Sequence, residues 1–147
     1  MRRIWKFIPL VIMIAVIILL TFQDAQGTLC LSEGFRNWII GLCENFDLYN
    51  ARGWVDSAIR IRRLGHVLEY LAFGVAAAIC IGKKRYTLLL CVCFSFADQI
   101  IKIYVPGRHF DPYDLPFDAV GYAAGILLGD VFAGEKSKQM EKMSDGG

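Results

Sequence analysis

The chain has 147 residues, 56% of them hydrophobic, and a mean hydropathy of +0.45. That length suits one domain, and the apolar excess is too large for an ordinary water-soluble one. The net charge of +2 gives no electrostatic footing for nucleic acid as a partner. The apolar residues gather into four blocks. The expected fold class is therefore all-α: an integral membrane bundle of four transmembrane helices, with an interfacial helix between the first and second.

Block one, Ile4 to Phe22, is interrupted only by Lys6 and Pro9 and follows Arg2 and Arg3. About 19 residues are enough for a bilayer core. A cleaved signal peptide ending near Ala25-Gln26-Gly27 is the competing reading. The run exceeds a typical signal core, which favours a retained anchor. Gln23 to Arg63 is the longest polar region. Ser32 reads as a helix cap, and Phe35, Trp38, Ile39, Leu42, Cys43 and Phe46 follow it at helical spacing. One apolar stripe beside a membrane reads as a helix lying in the interface, with a lid over the spans as competitor. Asn50-Ala51-Arg52-Gly53 ends that helix.

Block two, Leu64 to Gly82, carries His66, Glu69 and Tyr70 near its start and closes on Lys83-Lys84-Arg85. Block three, Tyr86 to Tyr104, is apolar except for Asp98, Gln99 and Lys102 near its far end. Pro106-Gly107 is a turn. Asp114 as N-cap and Pro116 in the first turn then start block four, which runs to Phe132. Residues 1–134 form one membrane domain, and the mixed-charge tail from 135 to 147 is expected to be disordered.

Four spans place both termini on one side, and the basic N-terminus and tight basic loop make that side cytoplasmic in the cell membrane. Of the seven basic residues left outside, six are Arg: Arg36, Arg52, Arg60, Arg62, Arg63 and Arg108, the seventh being Lys102. Arg offers a planar fork suited to phosphate or carboxylate. The five cysteines form no metal pattern. Cys80, Cys91 and Cys93 lie in apolar blocks as small hydrophobes. Cys30 and Cys43 fall outside the membrane, where a disulfide and two free thiols are both open.

Ionisable groups are costly within a membrane and tend to be functional. Arg63, His66 and Tyr70 share a face of block two with Glu69 beside it, Asp98 and Lys102 are four apart, and so are Asp114 and Asp118. The topology sets all three groups at one depth near the outer surface, beneath Arg60, Arg62, Arg108, His109 and Asp111. Each has a plain structural reading as well: Asp114 as a cap, Asp98 and Lys102 as mutual neutralisers, the arginines as lipid anchors. Gly121, Gly125 and Gly129 recur every four residues in block four, as do Gly74, Ala78 and Gly82 in block two. Such faces allow close helix packing, and their contact would bring His66 and Glu69 to Asp114 and Asp118.

The stretches RLGHVLEYLAFG (Arg63 to Gly74), DQIIKIYVPGR (Asp98 to Arg108) and DLPFDAVGYAAG (Asp114 to Gly125) resemble those of VanZ-like membrane proteins, a bacterial family associated with resistance to teicoplanin, a glycopeptide. Position by position the resemblance picks out His66, Glu69, Tyr70, Asp98, Arg108, Asp114, Asp118, Gly121 and Gly125. Where relatives often carry an Asp-Glu-x-His-Gln run, this chain has Asp98, Gln99, Ile100, Ile101 and Lys102. That departure weakens a metal or acid–base role needing the lost Glu and His, and leaves Lys102 as a substitute positive group. Asp118 stands where relatives often have Asn.

The expected ligand-binding set is Arg60, Arg63, His66, Glu69, Tyr70, Asp98, Lys102, Arg108, Asp114 and Asp118. It would bind cell-envelope material, a lipid-linked phosphate or a glycopeptide, with membrane lipids around it and no nucleic acid. The alternative is a metal-assisted hydrolase or transferase acting on a lipid phosphate, with Asp98, Asp114 and Asp118 holding a hard cation. No metal spacing of high specificity and no nucleophile motif supports it, so no metal ligand or cofactor is assigned from sequence. A proton or ion path fits poorly, because the inner halves of blocks two to four carry almost no ionisable groups.

Overall fold

The computed structural model describes residues 5–46 and 58–145 of the chain. Among these, five α-helices and no strand are found: α1 (Ile8–Thr21), α2 (Ala25–Asn45), α3 (Ala58–Ile81), α4 (Lys84–Lys102) and α5 (Asp114–Asp145). By length and composition two helices can cross a membrane, α3 over Arg60–Ile81 and α5 over Asp114–Ala133. A third span results if α1 and α2, bent by 116° at their break, count as one broken helix. The 19 residues of α4 include Lys84, Arg85, Asp98 and Lys102, too charged for a span on composition alone.

The pair α3–α5 is the centre of the fold, and glycine makes it. A Cβ on Gly121 would lie 2.5 Å from the Val67 carbonyl oxygen, and one on Gly74 would lie 2.7 Å from that of Tyr122. On Gly129 it would meet the Ala78 Cβ at 2.6 Å, and on Gly125 it would run into the Leu71 carbonyl oxygen. Apolar side chains gain nothing by leaving lipid for one another. Close backbone approach, with its dense van der Waals contact, is what drives helices together there. Around this seam Tyr70, Phe73, Ala77 and Cys80 of α3 pack with Cys91 of α4, Ile126 of α5, and Leu10 and Ile17 of α1. Val11, Ile12, Leu19, Leu89, Leu127 and Val131 point outward and stay exposed, the apolar surface a bilayer would cover.

Tight turns connect the bundle. Gly82 (φ 67°) ends α3 with its N–H donating to the Ala78 carbonyl at 2.9 Å, so only two residues separate α3 from α4. Pro106-Gly107 forms the expected turn: Gly107 takes φ 74° and the Arg108 N–H reaches the Val105 oxygen at 3.1 Å.

Several boundaries differ from the sequence reading. Ser32 does not cap α2. The helix starts seven residues earlier at Ala25, where the Asp24 Oδ1 accepts from the Gly27 N–H at 2.8 Å, and Ser32 Oγ donates back to the Thr28 carbonyl at 2.8 Å. Asp114 is the first residue of α5 rather than its cap, and its carboxylate is engaged by Arg62 and His66. α3 begins by Ala58, ahead of its apolar run. α5 continues to Asp145, past the Phe132 where its apolar block ends and through the segment expected to be disordered. Glu, Lys, Gln and Met are good helix formers, so a helix already nucleated at the seam propagates through them. The break expected at Asn50–Gly53 lies outside the described residues. Cys30 and Cys43 are free thiols.

Candidate functional site

The start of α3, the end of α4, the start of α5 and the end of α1 meet at one end of the bundle, and each brings polar side chains inward. His66 sits between two carboxylates, with Nε2 3.3 Å from Asp114 Oδ2 and Nδ1 3.0 Å from Asp118 Oδ1. One oxygen, Asp114 Oδ2, also meets Arg62 Nη2 at 2.7 Å and Lys102 Nζ at 3.8 Å. Lys102 is 1% exposed, with Nζ 2.6 Å from Asp98 Oδ2 and 3.5 Å from His66 Nε2. Hydroxyls hold the other carboxylate oxygens: Thr21 Oγ1 reaches Asp98 Oδ1 at 2.5 Å and Ser95 Oγ donates to Asp118 Oδ2 at 2.7 Å. A charge this deep is tolerated only when it is paired and hydrogen-bonded, and the pairing here draws on all four helices.

Beside the cluster a cavity of about 260 Å³ opens, walled by Arg62, His66, Glu69, Asp98, Lys102 and Arg108, with Leu20, Leu31, Phe35 and Ile61 as its apolar part. A second cavity of about 240 Å³ adjoins it and shares Thr28, Ser32, Arg62 and Arg108. α2 roofs both, although none of its residues is buried. Arg108 fastens the loop before α5 to the bend after α1: its Nη1 donates to the Leu20, Thr21 and Gln23 carbonyls at 2.9, 3.3 and 3.3 Å. Leu20 and Thr21 are in the last turn of α1, where carbonyls run short of intrahelical donors, and the Leu20 oxygen is shared with the Gln23 N–H at 3.3 Å. Burial lowers the Arg108 pKa from its ordinary value, with the Asp98 carboxylate opposing that shift and Arg62 adding to it.

One ligand-type atom from each of His66, Asp98 and Asp118 lies within 4.8 Å of the other two. These residues come from α3, α4 and α5, and all three are buried. They could hold a cation.

The family model that matches this chain is VanZ/LLP1, over residues 7–133. The chain belongs to the VanZ/LLP1 family. The match takes in blocks two to four, most of block one and every residue of the cluster, so the buried acid–base centre lies inside the VanZ/LLP1 domain. No curated protein and no solved structure matches the chain.

Of the ten residues expected to bind ligand, the structure brings His66, Asp98, Lys102, Asp114 and Asp118 into direct contact and sets Glu69 and Arg108 on the cavity wall. Tyr70 is fully buried below them, edge-on to Phe73 and Tyr122, in the core rather than the cavity. Arg63 lies over the Phe117 ring at 5.2 Å, and Arg60 is exposed. The arginine that enters the site is the one between them, Arg62, which also approaches Asp111 at 3.6 Å. Thr21, Ser95 and Gln99 belong to the site too. Gln99, wholly buried, accepts from the Asp111 N–H at 3.3 Å. Ser95 lies three residues before Asp98 on one face of α4, a spacing that could have pointed to it. Thr21 lies one residue before the end of block one, and no spacing pattern singles it out.

Proposed function

We propose that this protein is a multi-pass bacterial cell-membrane protein that takes the anionic headgroup of an envelope lipid, a lipid-linked phosphate, into an outward-facing polar cavity. The observation that carries the reading is the composition of the cavity wall. On it Arg62, Arg108 and Lys102 outnumber the acids Glu69 and Asp98, and Leu20, Leu31 and Phe35 add apolar surface, which matches a phosphate joined to a lipid chain. The volume of about 260 Å³ lies below the usual range for a drug-sized ligand, so a headgroup fits and a whole glycopeptide does not. A role in teicoplanin resistance would then act through the lipid-linked precursor.

In the four-span arrangement α1, α3, α4 and α5 cross the bilayer. α4 can do so because Asp98 and Lys102 are buried against the bundle while Lys84 and Arg85 lie at its opposite end. The bend of 116° turns α2 to within about 26° of perpendicular to α1, which suits a helix lying along the outer interface. Both termini are then cytoplasmic. The pair Lys84–Asp130, 3.0 Å apart, marks the inner end.

The test uses purified protein in nanodiscs titrated with a polyprenyl phosphate, against the corresponding alcohol. The phosphate should bind, and Arg62→Ala should weaken it by one to two orders of magnitude, the worth of about 1.5–3 kcal/mol for a charge-assisted bond. Equal binding of alcohol and phosphate would sink the reading. Growth under teicoplanin, with and without the protein, reports the resistance role: no difference removes it. A second reading, metal-assisted hydrolysis or transfer on the same phosphate, is favoured by the convergence of His66, Asp98 and Asp118.

A further inference from the structure

Five buried polar atoms of the site lack an aligned hydrogen-bond partner among the described residues: Arg62 Nε, Gln99 Nε2, His66 Nδ1, Asp98 Oδ2 and Asp118 Oδ1. The last three belong, one each, to the three residues whose ligand-type atoms lie within 4.8 Å of one another. In both aspartates the opposite oxygen is held by a hydroxyl donor, Thr21 for Asp98 and Ser95 for Asp118. A hydroxyl donor on one carboxylate oxygen, with the other turned toward the centre, is how second-shell donors orient metal ligands.

The His66–Asp118 contact sharpens the case. Nδ1 and Oδ1 are 3.0 Å apart yet not aligned as a hydrogen bond, and Asp118 is 0% exposed. An octahedral ion with bonds of about 2.1 Å sets neighbouring ligand atoms about 3.0 Å apart. The contact therefore has the length of one edge of a coordination shell. Lys102 leaves the Nδ1 side of the ring open: its ammonium meets Asp98 Oδ2 at 2.6 Å and lies on the Nε2 side of His66.

We propose that His66, Asp98 and Asp118 form a site for a divalent cation at the floor of the cavity, with Thr21 and Ser95 orienting the two carboxylates and Lys102 competing for Asp98. One imidazole nitrogen and two carboxylate oxygens suit Mn²⁺ or Zn²⁺ better than an all-oxygen ion such as Ca²⁺. His66 and Asp98 line the cavity, so the ion's remaining positions are open to an incoming oxygen ligand. The site stands on its own geometry and does not require that the cavity take a phosphate.

The experiment titrates Mn²⁺ into the full-length purified protein, without any phosphate present, following free Mn²⁺ by EPR and the bound ion by pulsed EPR. One Mn²⁺ should bind per chain and show modulation from a directly bound imidazole nitrogen. His109→Ala should leave that signal intact, which assigns it to His66, the other histidine of the chain. Ser95→Ala, which removes an orienting hydroxyl and keeps every ligand, should weaken binding about tenfold. Asp118→Asn should weaken it further, and Lys102→Met should tighten it. Absence of saturable binding at millimolar Mn²⁺, bound Mn²⁺ without nitrogen modulation, or an affinity indifferent to Ser95→Ala and Asp118→Asn would each overturn the proposal. Because phosphate is absent throughout, such a failure leaves the lipid-phosphate reading untouched.

Discussion

The α3–α5 seam and the α2 roof contain the same residue, glycine, to opposite effect. In the seam Gly125 has the Leu71 carbonyl, the Val75 N–H nitrogen and Gly74 against it, and any side chain collides with backbone. In the roof Gly34 and Gly41 have nothing within 4 Å of where a Cβ would stand. The seam joins two helices at the one distance their backbones allow and so holds the cluster residues of α3 and α5 in register. The roof touches lightly and covers the cavities. Rigidity is concentrated where charges must be paired, and slack is left where a ligand would have to enter.

Substitutions can break or sharpen that contrast, and the largest effect is expected at the seam. Gly125→Leu should yield no folded protein, because the colliding atom is main chain and cannot rotate aside. Size-exclusion elution of detergent-purified protein decides it, and a normal, stable peak would refute the packing. Lys102→Met comes next. It leaves Asp98 buried without its ion pair and should cost about 3–5 kcal/mol in the absence of added metal, read as a large fall in melting temperature. Arg108→Ala, at the border between the two regions, removes three bonds to carbonyls at the α1–α2 bend but is partly exposed. About 1–2 kcal/mol should be lost, with faster hydrogen exchange confined to residues near the bend. The smallest change is a gain: Gly34→Ala in the open helix face of α2 should stabilise by about 0.5–1 kcal/mol, and a loss there would show that the roof is packed after all.

The same contrast explains how far the sequence could be read. The seam was legible because four-residue glycine spacing on two apolar helices has one physical use, and their contact brings His66 to Asp114 and Asp118 as the spacing implied. Asp98 and Lys102 pair as their four-residue separation predicts. Choosing among Arg60, Arg62 and Arg63 was beyond sequence, since the three differ only by rotation about α3, and the apolar stripe there is too short to fix the phase. The Thr21–Asp98 bond spans 77 positions and depends on how α1 leans on α4, which no local pattern records. The 116° bend after α1 is held from a distance as well, by Arg108 on the Leu20 carbonyl. Asp24 rather than Ser32 caps α2, at a position beside the apolar block that local patterning does not single out.

α3 and α5 meet across α4, so they are neighbours in space without being neighbours in synthesis. Asp98 and Lys102 can neutralise each other as soon as α4 winds up, but His66 has no acid to face until Asp114 and Asp118 leave the ribosome. The charge pairing of the first turns of α3 is therefore complete only once α5 has been made.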